Sequence, residues 1–113
     1  MIVELEKQSE FLKIVLSEAF YFDRMIELVM ELGKEKAENC LIDGTKLENT
    51  DLSYRERYEI GKTGVDYLDI TAKYAVIWPV RDINYFAISV MRLQGFNVQV
   101  FANMPLAMKW LLA

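Results

Sequence analysis

The chain has 113 residues, 53% of them apolar and 12% aromatic, enough for one packed core and too apolar for a disordered chain, with no room for a second domain of ordinary size. Seventeen acids against thirteen bases leave a net charge of −4, which argues against nucleic acid as a partner, because capture of a phosphate backbone needs a basic surface. Histidine is absent, which removes Ser-His-Asp and Cys-His nucleophile activation along with the commonest metal ligand. The chain is therefore expected to be no enzyme, with no cofactor and no metal.

The charge is unevenly spread. Residues 1–70 hold sixteen acids and nine bases, and residues 71–113 hold one acid and four bases. A stretch so poor in charge is expected to supply central strands and the helices on them, or a surface covered by a partner. The single cysteine, Cys40, has no internal partner for a disulfide and precedes an apolar run, so it reads as a small buried residue in a reducing compartment. The N-terminus lacks a basic start followed by a long apolar stretch, and no apolar run reaches the ~20 residues of a membrane helix. The expectation is a cytoplasmic protein that is not an integral membrane protein.

In chain order, residues 1–6 and 11–16 alternate or cluster apolar residues around a polar break and predict a strand hairpin. Residues 18–32 place Phe22, Met25, Ile26, Val29 and Leu32 at three- and four-residue steps, an amphipathic helix with Gly33 as its stop. Residues 39–43 read as a short buried strand, with Asp43-Gly44 as its exit turn.

Ser53-Tyr54-Arg55-Glu56 has the form of a capping box and starts a second helix, whose face is read from Tyr54, Tyr58, Val65 and Leu68. Gly61 and Gly64 each cost about 1 kcal/mol there relative to Ala, so either the helix breaks or its backbone approaches something closely.

Tyr74 to Trp78, closed by Pro79, predicts a strand buried on both faces. Asp82 is expected to cap a third helix carrying Ile83, Phe86, Ala87, Val90 and Leu93, ended by Gly95. Residues 96–101, with Asn97 and Gln99 alternating outward, predict an edge strand. Asn103 caps the last helix, and Pro105 sits in its first turn, where a missing amide hydrogen costs nothing. Successive strand–helix crossovers require a mostly parallel sheet of α/β class, wound right-handed.

That order, with the strand Tyr74-Ala75-Val76-Ile77-Trp78, the strand Gly95-Phe96-Asn97-Val98-Gln99-Val100-Phe101 and the closing Ala107-Met108-Lys109-Trp110-Leu111, resembles the STAS superfamily. More narrowly it is similar to the SpoIIAA-like group of small stand-alone proteins, best over residues 39–113. The resemblance implies a four- to five-stranded β-α superhelix in one domain, acting as a regulatory module through a protein partner or self-association, for instance as a homodimer. Members that antagonise anti-sigma factors carry a phosphorylatable serine in an Asp-Ser-Ser-Gly-like turn. The matching turn here is Asp43-Gly44-Thr45-Lys46, which lacks the serine pair and leaves Thr45 or Ser53 as the hydroxyls a phosphate would take.

Other chemistries fail on spacing. Gly61-Lys62-Thr63 echoes a phosphate-binding loop, but position 56 is Glu56 where a glycine is required, and a helix start precedes it instead of a strand. Asp43, Glu48 and Asp51 lack the alternate-residue spacing of a calcium loop. Seventeen acids always offer carboxylate pairs, so an enzyme built on them ranks third among the readings.

Position is the remaining guide. In open α/β sheets ligands gather where strand ends meet helix starts, which selects Asp43, Thr45, Arg81, Asp82 and Asn103 as ligand- or partner-binding candidates. Arg81 suits a phosphate or carboxylate, with a surface ion pair to a neighbouring acid as the plainer alternative. A small amphipathic ligand or lipid between the sheet and the first two helices is the rival function, walled by Tyr54, Tyr58, Tyr67, Tyr74, Tyr85 and Trp78, though aromatics at helical spacing are more often core.

Overall fold

The computed structural model describes residues 1–34 and 39–113. The expected hairpin is present: β1 (Ile2–Lys7) runs antiparallel to β2 (Leu12–Ala19). From β2 onward every pairing is parallel, through β3 (Cys40–Glu48), β4 (Lys73–Ile77) and β5 (Asn97–Phe101). The sheet order β1-β2-β3-β4-β5 follows the chain, so each crossover steps one strand sideways. The helices are α1 (Phe22–Lys34), α2 (Tyr54–Tyr67), α3 (Phe86–Arg92) and α4 (Met104–Leu111).

The register lines up apolar residues in rows across the sheet. Leu12, Cys40, Tyr74 and Val98 form one row, and Ile14, Ile42, Val76 and Val100 the next. Both rows belong to the larger core, under α1, α2 and α3. The intervening residues Leu41, Ala75 and Ile77 face the other way and join Ala107 and Leu111 of α4 in a second, smaller core. The charge-poor C-terminal third thus supplies one interior strand, one edge strand and the helix that covers the second face. β4 lies between β3 and β5, with parallel neighbours on both sides.

Four local expectations are corrected. Residues 18 and 19 extend β2 instead of opening the first helix, and Glu18 takes a left-handed backbone with φ 65° at the end of that strand. Gly33 does not end α1 but lies inside it: a Cβ at this position would stand 2.2 Å from the Tyr67 carbonyl oxygen, so only glycine lets α1 and α2 come this close. Asp43-Gly44 is not an exit turn. β3 continues to Glu48, and the extra residue is absorbed as a bulge, Val15 pairing with Asp43 and Ser17 with Lys46. Asp82 caps no helix; it closes a single 3-10 turn, and α3 starts later, with Asn84 Oδ1 accepting from the Phe86 amide at 2.8 Å.

Two caps are as read. Ser53 Oγ accepts from the Glu56 amide at 3.1 Å while the Glu56 carboxylate accepts from the Ser53 amide at 2.9 Å, and Asn103 Oδ1 accepts from the Leu106 amide at 3.1 Å. No described helix is long and apolar enough to cross a membrane.

Candidate functional site: an apolar cavity with a buried arginine

α2 turns an unusual face to the sheet. Its buried residues are Arg57, Gly61 and Gly64, at four- and three-residue steps, whereas Tyr54 and Tyr58, read from the sequence as its inner face, are exposed. The helix is unbroken through both glycines because they are points of close approach. A Cβ at Gly61 would lie 2.6 Å from the Ala87 carbonyl oxygen, and one at Gly64 would lie 2.7 Å from the Met91 sulfur. The glycines draw α3 against α2 and put no side chain of their own into the space above the sheet.

That space is a cavity of about 120 Å³. Ile42, Val76 and Val100 of the second sheet row line it, and all three stay partly accessible although the strands bearing Ile42 and Val76 are interior. Tyr74, Trp78, Met25 of α1 and Ile88 of α3 add apolar wall. An engineered apolar cavity of about 150 Å³ takes up benzene, so a void of this size and lining accepts a small apolar group.

The carboxyl ends of β3 and β4 supply a polar cluster at one end of this face. Thr50, only 1% exposed, donates its hydroxyl to the Asp82 carboxylate at 2.7 Å and accepts from the Trp78 indole nitrogen through its carbonyl at 3.1 Å. Arg57, 7% exposed, lines the cavity. Its Nε donates to the Leu52 carbonyl at 3.1 Å and its Nη2 to the Asp82 carbonyl at 3.3 Å. The Tyr74 phenol accepts from the Asp69 amide at 3.0 Å, yet burial prevails over that contact and pushes the phenol up to about 12.

The predicted site residues divide between the two faces of the sheet. Asp82 is part of the cluster, and Arg81 beside it pairs with Asp82 at 3.4 Å and is largely exposed, which is the plainer ion-pair arrangement. Asp43 shares the α4 face with its register partner Ile77, and Asn103 caps α4 on that same side. Thr45, in the β3 bulge, donates amide and hydroxyl to Asp43 Oδ1. Ser53 is occupied as the α2 cap. Among the described residues no three acidic or cysteine side chains converge as a metal site.

Sequence reasoning missed Arg57 and Thr50. A signal for Arg57 was present: it stands four and seven residues before Gly61 and Gly64, and a helix face bearing two glycines is the one that makes close approach. Nothing in the local sequence marks Thr50, whose partners are 28 and 32 residues away. No protein-family model matches the chain, and no curated protein matches it.

Proposed function

We infer that the chain is a non-catalytic binding module that takes a small, mainly apolar molecule into the cavity between the sheet and α1, α2 and α3. The observation that carries this reading is the cavity itself. Interior sheet residues Ile42 and Val76 stay accessible beneath three helices, where native cores are normally close-packed with few voids larger than a water. Apolar walls with a few convergent polar groups at one end are the common form of a small-molecule site. The parallel order β2-β3-β4-β5, with α1, α2 and α3 on one face, is compatible with the SpoIIAA-like resemblance.

Native mass spectrometry of protein purified from its own host tests the reading. Retained mass that is lost on denaturation is the expected result. A bare-chain mass, together with no response to hexanol or benzyl alcohol in a thermal-shift titration, refutes it.

A second reading, action through a protein partner or a second copy, is favoured by one exposed feature. Tyr54 and Phe86 meet edge to face at 5.4 Å between ring centroids, and both are exposed, as are Tyr58 one turn along α2 and Tyr85 beside Phe86. Aromatic residues grouped on a surface are the composition of a binding patch. Size-exclusion chromatography with light scattering tests self-association, and a monomer at every concentration removes it.

A further inference from the structure

Arg57 brings a formal charge to the wall of an apolar cavity, and among the described residues no ion pair joins it to a carboxylate. Both of its hydrogen bonds go to backbone carbonyls, of Leu52 and Asp82. The nearest acid in the cluster, Asp82, is already engaged through its carboxylate by the Thr50 hydroxyl and by Arg81. Nη1 makes no hydrogen bond among the described residues, and the side chain borders the cavity. Burying a guanidinium without a counter-charge is costly, and sequences keep such groups where something supplies the charge.

The two carbonyl contacts hold the guanidinium plane in place, which is the preorganisation that planar recognition of an anion requires. Asn84 borders the same cavity. Its Oδ1 is taken by the Phe86 amide, so its NH2 stands as a further donor.

We propose that the ligand is an amphipathic monocarboxylic acid whose carboxylate pairs with Arg57 while its hydrocarbon part fills the apolar cavity. This rests on the cavity-binding reading above and adds the chemical class. The cavity supplies affinity by removing apolar surface from water. Arg57 supplies selection, because an uncharged analogue of the same shape leaves the guanidinium without its counter-charge.

The test uses the full chain stripped of bound molecules by reverse-phase extraction and refolding, titrated calorimetrically with hexanoate and benzoate and with their uncharged counterparts hexanol and benzyl alcohol. The acids are expected to bind about tenfold or more tightly than the alcohols. In Arg57→Met that preference disappears while alcohol affinity holds within about threefold. Equal binding of acids and alcohols by the unsubstituted chain overturns the carboxylate assignment and leaves the cavity reading standing. No binding of any of the four overturns both, and an acid preference that survives Arg57→Met overturns the role of Arg57. Should Arg57→Met fail to fold, the guanidinium NMR resonances of Arg57 in the unsubstituted chain decide: a larger shift with hexanoate than with hexanol supports the pairing, and equal shifts refute it.

Discussion

The Thr50 hydroxyl donates to the Asp82 carboxylate at 2.7 Å, tying the loop after β3 to the 3-10 turn after β4 across 32 residues of chain. The same loop accepts the Trp78 indole proton, and Arg57 reaches from α2 to a carbonyl on each side of the tie. One polar cluster therefore fixes the relative positions of two strand ends and one helix start.

Removing that tie is expected to be costly. Thr50→Val keeps the shape but leaves the Asp82 carboxylate with only its exposed Arg81 partner, and a buried hydrogen bond to a charged group contributes about 1.5–3 kcal/mol. Urea unfolding should show a loss of that size for Thr50→Val and a distinctly smaller one for Thr50→Ser, which retains the hydroxyl. Equal losses would mean that the methyl group, and not the hydrogen bond, holds Thr50 in place.

The three helix glycines should respond to alanine in a fixed order. In an exposed helix, Gly→Ala stabilises by about 1 kcal/mol. Here Gly33→Ala meets the Tyr67 carbonyl at 2.2 Å and Gly61→Ala meets the Ala87 carbonyl at 2.6 Å, both rigid backbone, whereas Gly64→Ala meets the flexible end of Met91. Thermal unfolding is expected to rank the loss Gly33 first, Gly61 second and Gly64 least. A gain in stability at Gly33 or Gly61 would contradict the close packing of α1, α2 and α3.

Filling the cavity should separate stability from binding. Val76→Ile adds one methylene to a wall that is not in full contact, so stability should hold within about 1 kcal/mol or rise, as cavity-filling changes commonly do. Hexanol and hexanoate affinity should both fall, since the added group occupies ligand space. Calorimetry on the two proteins reads this directly, and unchanged affinity would place the ligand elsewhere.

The Tyr74 phenol predicts an alkaline limb. Its pKa is raised by burial from 10.0 to about 12, so in the unfolded chain the proton leaves first. Its contribution is complete below pH 10 and is lost as pH rises towards 12, with a slope of at most about 1.4 kcal/mol per pH unit. Urea midpoints measured from pH 9 to 11.5 should fall more steeply for the unsubstituted chain than for Tyr74→Phe. Parallel slopes would show that the phenol is not shielded.

Element order and sheet class were legible in the sequence because the signals are local. Apolar runs of five residues, the Ser53/Glu56 box and the Asn103-Pro105 start each act within one turn of chain. Boundaries were read less well where backbone bonding extended beyond the pattern, as at β3, whose ladder runs five residues past Asp43 by absorbing a bulge.

The candidate site was legible only in outline. Reading strand ends as the functional edge led to Arg81 and Asp82, which do lie by the polar cluster, but also to Asp43 and Asn103, which belong to the α4 face. Which face a strand-end residue joins depends on register, and a single bulge alters it.

From residue order alone came the α/β class, the hairpin, the parallel run and the starts of α2 and α4, since propensity, periodicity and capping operate between neighbours in the chain. Arg57 turning inward, Tyr54 and Tyr58 turning out, and the void over Val76 arose from three helices settling on one sheet. Those outcomes depend on how closely glycine lets two backbones approach, a distance between segments that no local pattern encodes.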